Sequence, residues 1–341
     1  MTGLRNLGNT CYMNSIIQCL SNTGFLTLYF RQDIFVNDIN LTSKLGSKGE
    51  LAVEFANIVR NLWMGDFKHI SPRTFKQTVG RINSLFVGSE QQDSSELLLF
   101  LLDGLHEDLN RIAWGDRPTI PEQKNDHLSD ERAAAMAWAN HVSVNDSVIV
   151  HLFQGLLKST VMCLTCRKQS VTFDPFMYLS LPVPSSTRPC SVEDCLALFL
   201  KEEKMSGSSQ WNCPRCKCSR DAVKKIDIWK LPMILLIHLK RFQFDGCRHR
   251  KITSAVDFPL NQFDMRDYVQ GPNTNQKFNL YAVSNHYGTM EGGHYTAYCK
   301  NPTAKSWHKF DDHEVSSISP ADVKTPAAYI LFYTAKEFSV N

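Results

Sequence analysis

Apolar residues recur at helical spacing through the first 110 residues of the chain. The clearest case follows Asp93, where a broad apolar stripe and the spacing of Asp93 to Glu96 predict a capped helix. Two further helices are predicted, one opening after Asn9 or Thr10 as its N-cap and one over 49–63. The stripe of the clearest helix consists of Leu97, Leu98, Leu101, Leu102, Leu105 and Leu109. This part of the chain is therefore predicted to be mainly α-helical.

From residue 152 onward the pattern changes to short β-like segments. The run 233–238 is continuously apolar, which is typical of a strand buried on both faces. Two helices interrupt, an Ala-rich one at 131–140 and one at 191–201 that opens on a Ser191–Asp194 capping box. The other strands are predicted at 159–163, 169–173, 178–181, 277–284, 294–300, 306–310 and 328–333. This order predicts an α+β fold.

Composition narrows the class of protein. The chain has 341 residues, of which 43% are hydrophobic and 21% charged, which is typical of soluble globular proteins. A net charge of +3 and a pI near 8.2 argue against nucleic acid or an anionic membrane as the main partner. No run of eighteen apolar residues and no signal-peptide core occur, so we expect no membrane insertion and a cytoplasmic or nuclear location.

Cys11 is the strongest candidate for a nucleophile among the eleven cysteines. In a reducing compartment these cysteines are expected to pack in the core, bind metal or act in catalysis. Cys11 follows Gly8-Asn9-Thr10 at a predicted helix start, where free N–H groups and the helix dipole favour a thiolate. A buried structural cysteine near a helix cap is the competing interpretation.

A histidine in a predicted hairpin is the candidate base. A hairpin centred near Thr303 would bring His294 opposite Asp311 or Asp312, and a carboxylate there would orient the imidazole. Strand alternation places the two aspartates on opposite faces, but the spacing does not choose between them. A surface histidine is the competing interpretation; His286 is the nearest rival base, and His238 is predicted to be a satisfied core group.

Two Cys-x-x-Cys pairs predict a metal site. Cys163 with Cys166 and Cys213 with Cys216 supply four thiolates, the ligand set of tetrahedral structural zinc. The 46 residues between the pairs (167–212) exceed the spacing of compact zinc ribbons, and the helix at 191–201 accounts for the excess. Four reduced core cysteines are the alternative, and Cys218 is an alternative ligand to Cys216.

Four segments together resemble the ubiquitin-specific proteases. They are Gly-Leu-Arg-Asn-Leu-Gly-Asn-Thr-Cys-Tyr-Met-Asn-Ser (3–15), Gln-Gln-Asp (91–93) with the Glu and Leu of 96–97, Gly-Gly-His-Tyr-Thr-Ala-Tyr (292–298) and Trp-His-Lys-Phe-Asp-Asp (307–312). They stand in the family's order and span almost the whole chain. Segments 103–110 and 310–315 are most similar to an endosome-associated member.

The resemblance implies a papain-like cysteine protease with a mainly α thumb, a β-rich palm and zinc-bearing β fingers. It implies one catalytic domain over 1–341, with the thumb near 1–150, the fingers near 151–232 and the palm over 233–341. The chain begins two residues before the first motif, whereas relatives carry long preceding segments, so an isolated catalytic region or a short isoform is expected.

The resemblance also assigns roles to individual residues. It maps the nucleophile to Cys11, the base to His294, the triad acid to Asp311, the oxyanion-stabilising amide to Asn6 and an auxiliary role to Asp312. It places the zinc ligands Cys163, Cys166, Cys213 and Cys216 at the tip of the fingers. The residues implied in binding ubiquitin's tail are Gln92, Asp93, Gly292, Gly293 and Tyr295.

The implied activity is hydrolysis of the isopeptide or peptide bond after the C-terminal glycine of ubiquitin, through a thioester. The partners implied are ubiquitin and ubiquitinated proteins or polyubiquitin chains, with the enzyme as a monomer that associates with endosomes. Three alternatives stay open: a catalytically silent ubiquitin-binding module whose loops at 244–250 or 287–293 close the cleft, a protease for another ubiquitin-like modifier, and a zinc-based nucleic-acid binder.

Overall fold

The architecture is taken from a computed structural model that describes residues 1–120, 128–185, 188–244, 249–272, 276–289 and 292–335. Parts of the two loops at 244–250 and 287–293 lie outside these ranges. The helices are α1 (Cys11–Ser21), α2 (Gly24–Arg31), α3 (Glu50–Met64), α4 (Arg73–Ile82), α5 (Ser94–Asp108), α6 (Asp130–Val142), α7 (Val148–Phe153) and α8 (Val192–Phe199).

Twenty strands are assigned within the described residues. They are β1 (Gly3–Leu4), β2 (His69–Ile70), β3 (Gly155–Cys163), β4 (Gln169–Phe176), β5 (Leu179–Pro182), β6 (Cys190–Ser191), β7 (Glu203–Met205), β8 (Trp211–Cys213), β9 (Cys218–Arg220), β10 (Ala222–Lys230), β11 (Ile234–Lys240), β12 (Phe242–Phe244), β13 (His249–Lys251), β14 (Val256–Asp257), β15 (Phe263–Asp264), β16 (Lys277–Gly288), β17 (Gly293–Lys300), β18 (Trp307–Asp311), β19 (Glu314–Ile318) and β20 (Ala328–Thr334). Most helices lie in the first 153 residues and most strands follow them, so the predicted α+β fold is confirmed.

Three of the five helices described in the first 110 residues, α1, α3 and α5, form where the apolar spacing predicts them, whereas α2 and α4 were not predicted. In α5, the carboxylate of Asp93 caps the first turn by accepting a hydrogen bond from Ser95 N at 2.7 Å. Helix α3 is bounded by Gly49 and Gly65, which both take positive φ values of about 88°. Every residue of α1 is buried, because this helix lies between the other helices and the large sheet.

The large sheet runs in the order β19-β18-β17-β16-β20-β11-β5, with β15 added beside β16. Its two faces are covered by different hydrophobic clusters. Along β11, Ile234 and Leu236 enter the cluster shared with α1 to α5, whereas Leu235 and Ile237 enter the cluster on the other face. Burial on both faces explains the continuous apolar run of this strand.

A second sheet, β4-β3-β10-β7, extends from the first and ends in the β8–β9 ribbon. Helix α6 packs on it through Ala133 and Ala134, which contact Phe173 and Trp229. Helix α8 begins at the predicted capping box, because Ser191 and Asp194 exchange both bonds.

The division into 1–150, 151–232 and 233–341 stays a prediction. Strand β5 lies inside the second range but pairs with β11 in the large sheet. None of the helices in the described ranges combines the length and apolarity needed to cross a membrane.

Candidate active site and cysteine cluster

Cys11 is the first residue of α1 and is 2% exposed. The preceding loop is shaped by Asn6, whose Oδ1 accepts hydrogen bonds from Gly8 N and Thr10 N, both at 3.0 Å. Thr10 stands at the N-cap position, but its hydroxyl accepts from Leu7 N instead of capping the helix. Cys11 therefore lies at a helix N-terminus that has no side-chain cap, where the helix dipole favours a thiolate.

His294 lies beside both Cys11 and Asp311. His294 Nε2 and Asp311 Oδ1 are 2.6 Å apart. The hydrogen bond with Cys11, and then that with Asp311, raises the pKa of His294 to about 9 despite partial burial. At neutral pH the imidazole is therefore poised to hold a proton between a sulfur and a carboxylate.

The hairpin register explains why Asp311 is the partner of His294. Strands β17 and β18 pair Lys300 with Trp307 and Ala297 with Phe310. Continued by one residue, this register sets Asp311 opposite Thr296, on the sheet face that also carries His294. The same register sets position 294 level with 313, one residue from the predicted pairing with 312 and two from that with 311.

Lys309 is a second partner of Asp311. Its Nζ lies 2.9 Å from Asp311 Oδ2, the oxygen that His294 leaves free. Burial raises the pKa of Asp311, but the hydrogen bonds from His294 and Lys309 outweigh burial and hold it below its usual value. The carboxylate therefore stays charged and is fixed from two sides.

Asp312 joins two asparagines. Its Oδ2 accepts from Asn6 Nδ2 at 3.0 Å and its Oδ1 accepts from Asn14 Nδ2 at 2.8 Å. The residue adopts a left-handed conformation (φ 51°), and its carbonyl accepts from Leu4 N at 2.8 Å. Asp312 thereby fixes the Asn6 amide, one Nδ2 proton of which remains for another acceptor.

Three of the five residues predicted to bind a substrate tail, Gln92, Asp93 and Tyr295, line one groove. Gln91 clamps Gly293, donating to its carbonyl at 2.6 Å and accepting from its N–H at 2.8 Å. Asp93 Oδ2 accepts from Tyr329 OH at 2.7 Å. The groove has a volume of about 170 Å³ and is lined by Gln91, Gln92, Asp93, Phe242, His286, Thr289 and Tyr295.

The two predicted glycines and Tyr295 take different positions around this groove. Gly292 is exposed and does not line it. A Cβ on Gly293 would lie 2.2 Å from His286 Nε2, so only glycine fits there. Tyr295 is only 5% exposed, and burial holds the pKa of its hydroxyl well above the usual value.

His286 and His238 are unsuited to act as the base. His286 is 3% exposed, and burial, then the nearby Lys251 cation, lowers its pKa to about 4. Burial lowers the pKa of His238 to about 4 as well. His238 Nδ1 bonds Ser180 Oγ at 2.9 Å, but its Nε2 has no partner among the described residues. His238 is therefore satisfied on one side only.

The four cysteines predicted to bind metal converge at the end of the second sheet. The sulfurs of Cys163, Cys166, Cys213 and Cys216 lie within 4.8 Å of one another, and those of Cys166 and Cys213 are 3.5 Å apart. Tetrahedral zinc with Zn–S bonds of about 2.3 Å separates its sulfurs by about 3.8 Å. The spacing and the all-sulfur donor set therefore fit zinc.

The two halves of the cluster have the same backbone geometry. Arg167 and Lys217, each directly after the second cysteine of a pair, have φ values of 60° and 56°. Their N–H groups bond the carbonyls of Cys163 and Cys213 at 3.0 and 2.8 Å. The sequence thus forms two equivalent knuckles.

Protons are unevenly shared among these thiols. Hydrogen bonding, first from the Cys166 N–H, lowers the pKa of Cys163 to about 6. Hydrogen bonding with Cys166 raises that of Cys216 to about 12. Four thiolates this close repel one another, and a divalent cation would offset that repulsion. Cys218 is exposed, lies outside the cluster and donates to Cys216 O at 3.4 Å.

Residues 2–333 match the family described as Ubiquitin carboxyl-terminal hydrolase. The chain is 43% identical over 335 residues to Ubiquitin carboxyl-terminal hydrolase 2 of Rattus norvegicus, covering 98% of this chain and 54% of that protein. It is 40% identical over 361 residues to Ubiquitin carboxyl-terminal hydrolase 4 of Saccharomyces cerevisiae (strain YJM789), covering 97% of this chain and 39% of that protein. The chain thus spans about half the length of the first relative and less than half that of the second.

A solved structure gives the same architecture. One chain of the SAGA DUB module Ubp8/Sgf11/Sus1/Sgf73 bound to monoubiquitin matches this protein with a TM-score of 0.75 and 27% identity. The match covers all of this chain and 70% of the chain in the module. The same module bound to ubiquitin aldehyde matches with a TM-score of 0.74 and 28% identity.

Proposed function

Because this chain belongs to the ubiquitin carboxyl-terminal hydrolase family, we propose that it is a thiol protease that hydrolyses the isopeptide or peptide bond after the C-terminal glycine of ubiquitin. The observation that carries the proposal is that His294 lies 2.6 Å from Asp311 and interacts with Cys11, the first residue of α1. The related SAGA module is described with ubiquitin aldehyde, which supports ubiquitin as the partner.

In this proposal Cys11 is the nucleophile. His294 takes the thiol proton, and the Cys11 sulfur forms a bond to the carbonyl carbon of the terminal glycine. The imidazolium then protonates the leaving amine, which leaves a thioester that water hydrolyses with His294 as the base. Asp311 holds the ring in place and stabilises its charged form, and Lys309 fixes Asp311 in turn.

Asn6 supplies the donor for the tetrahedral oxyanion. Its amide oxygen organises the loop before Cys11, and Asp312 holds its Nδ2, so the amide is fixed before substrate arrives. A preorganised donor of this type contributes about 3 kcal/mol to transition-state stabilisation. Asp312 acts through Asn6 and is a positioning residue.

The groove beside Gly293 is the proposed channel for the tail of ubiquitin. The clamp by Gln91 and the close approach of Gly293 to His286 keep it narrow, which favours a tail that ends in glycines. Asp93 supplies a carboxylate for an arginine of the tail. Gln92 and Tyr295 line the same groove, whereas Gly292 lies outside its lining.

The four-cysteine cluster is proposed as a structural zinc site. Cys163, Cys166, Cys213 and Cys216 would hold the ion, which would staple the β8–β9 ribbon to the end of β3. A site filled by four protein sulfurs has no open position, so the ion has no direct part in the reaction. The second sheet would then serve as the fingers that grip the globular part of ubiquitin.

Cellular context forms part of the same proposal. We propose a cytoplasmic monomer that acts on ubiquitinated proteins or polyubiquitin chains as one domain with thumb, fingers and palm. Segments 103–110 and 310–315 support a functional likeness to UBPY and an association with endosomes, although the relatives reported above carry other names.

The test is hydrolysis of a fluorogenic ubiquitin conjugate by the wild type and by Cys11→Ala. We expect turnover by the wild type, none by Cys11→Ala, and a covalent adduct between the wild type and ubiquitin with an electrophilic C-terminus. Binding of ubiquitin without adduct or turnover would favour a catalytically silent module. If an adduct formed only with another ubiquitin-like modifier, that modifier would replace ubiquitin as the proposed substrate.

A further inference from the structure

A second open groove adjoins the Asn6 side of the proposed active site. It has a volume of about 520 Å³, within the range of about 300–1,000 Å³ that is usual for ligand pockets. It shares no lining residue with the groove beside Gly293. Its walls consist of Arg5, Asn6, Leu7, Ser71, Arg73, Lys76 and Gln77.

The lining of this groove is basic and contains no acidic residue. Among the described residues, the Arg5 guanidinium lies 2.9 Å from His69 Nε2, and Arg73 is exposed. Within the described residues neither arginine is paired with a carboxylate. Lys76 is turned inward, donating to Phe86 O and to Gly88 O, and burial lowers its pKa. The positive charge available to a ligand therefore comes from Arg5 and Arg73.

The backbone adds to this positive field. Helix α4 begins at Arg73 after Pro72, a residue without a side-chain group able to cap the first turn. Strand β1 is fixed between β2 and the turn at Asp312, so the position of Arg5 is set by the scaffold. A fixed concentration of positive charge attracts anionic groups and repels cationic ones.

The position of the groove limits what can occupy it. Arg5 directly precedes Asn6, the proposed oxyanion donor, and Asn6 lines the groove itself. The groove proposed for the tail of ubiquitin is lined by Gln91 and other residues, none of which lines this second groove. The substrate protein around the acceptor lysine lies beyond the scissile bond. We therefore expect this part of the substrate to reach Arg5 and Arg73.

We propose that this groove binds acidic residues that flank the modified lysine of the substrate protein. The inference rests on the proposed protease activity and adds a preference for the acceptor sequence. Aspartate or glutamate near the lysine would pair with Arg5 and Arg73, whereas lysine or arginine there would be repelled. The enzyme would thus release ubiquitin fastest from acidic acceptor segments.

The test uses ubiquitin joined through its C-terminal carboxyl to the central lysine of a short fluorescent peptide. Three peptides carry flanks of Asp and Glu, of Ser and Gly, or of Lys and Arg. In low salt we expect kcat/KM to be about five- to tenfold higher for the acidic than for the basic conjugate, the size expected for two exposed ion pairs. Raising the salt concentration should compress this ratio.

Arg73→Glu should abolish or invert the order of the three conjugates. Arg132→Glu is the matched control, because Arg132 is exposed on α6 away from the groove, and it should keep the wild-type order. Affinity of Cys11→Ala for the same conjugates provides a second readout that needs no turnover, and it should rank them in the same order.

Two results would overturn the inference. Equal kcat/KM for all three conjugates would reject the acidic preference while leaving the protease activity intact. A preference that Arg73→Glu leaves unchanged would place its origin elsewhere on the surface. Failure to cleave any conjugate, together with failure to form an adduct with electrophilic ubiquitin, would reject the proposed function itself.

Discussion

Asp311 and Asp312 are neighbours in the chain, yet their carboxylates fix different parts of the active site. Asp311 Oδ1 lies 2.6 Å from His294 Nε2, whereas Asp312 Oδ2 accepts from Asn6 Nδ2 at 3.0 Å. In the proposed mechanism, Asp311 supports the charged form of the base, and Asp312 positions the oxyanion donor. Substitutions of the two should have separable kinetic signatures.

We predict that Asp311→Ala shifts the alkaline limb of the pH profile to lower pH. Hydrogen bonds from Cys11 and Asp311 raise the pKa of His294 to about 9, and loss of the carboxylate removes part of that stabilisation of the imidazolium. In the variant, the His294 imidazolium therefore loses its proton at a lower pH than in the wild type. Values of kcat/KM for a fluorogenic ubiquitin conjugate between neutral pH and pH 10 measure the shift, and we expect activity to fall by about 100-fold or more.

Asp312→Ala is the comparison variant for that experiment. It should lower kcat by up to about 100-fold through a loosened Asn6 amide, with the alkaline limb staying near the wild-type position. Equal displacement of the limb by both substitutions would contradict the division of roles.

We predict that Lys309→Met moves the same limb in the opposite direction. Lys309 Nζ neutralises part of the Asp311 charge at 2.9 Å, so its removal leaves a more strongly negative carboxylate beside His294. The pKa of His294 should rise, and activity should persist to higher pH. Lys309→Arg keeps the cation and should retain the wild-type profile; a profile unchanged by Lys309→Met would show that the ion pair does not reach the base.

The sequence singled out Cys11 and His294, the proposed nucleophile and base, because each lies in a recognisable local context. Cys11 follows a turn at a helix start, and His294 opens a strand whose return carries two aspartates. The choice between Asp311 and Asp312 required the hairpin register, and the observed pairing of Lys300 with Trp307 differs from the predicted one by a single residue. A one-residue shift exchanges the faces of a strand, so spacing alone did not decide it.

Contacts between distant segments were beyond the reach of sequence patterns. Gln91 bonds Gly293 across 202 positions, and Asn14 bonds Asp312 across 298 positions. Gln91, Asn14 and Lys309 each stood in a family motif without a stated role. The burial of His286 also depends on three aromatic neighbours from other strands.

We predict that Asp93→Asn and Asp93→Ala separate helix capping from substrate binding. Asp93 Oδ1 caps α5 through Ser95 N, and its Oδ2 accepts from Tyr329 OH. Asparagine keeps a capping oxygen but removes the charge, so KM for ubiquitin conjugates should rise with little change in Tm. Alanine removes both and should also cost about 1 kcal/mol in stability. An equal KM for Asp93→Asn and the wild type would show that the charge does not contact ubiquitin.

We predict that the wild-type protein binds one zinc ion that a Cys163→Ser, Cys213→Ser double variant lacks. The two substitutions remove one sulfur ligand from each knuckle, and the two thiolates that remain bind zinc weakly. Metal content of the purified proteins measures this, and chelation of the wild type should lower its Tm. Cys218→Ser is the matched control, because its exposed sulfur lies outside the cluster, and it should retain the metal. Full zinc content in the double variant would refute the assignment.

Two buried histidines predict a loss of stability in mild acid. Burial lowers the pKa values of His238 and His286 to about 4, from 6.5 in the unfolded chain. As pH falls below about 6.5 the unfolded state takes up protons first, so the free energy of unfolding should decrease down to about pH 4 and change little from this cause below it. We expect roughly 1–3 kcal/mol from His238 alone, since its environment disfavours the charged form. Urea unfolding at a series of pH values measures the slope, and His238→Asn, which retains a donor toward Ser180, should flatten it. The same slope in wild type and variant would mean that His238 does not carry this acid sensitivity.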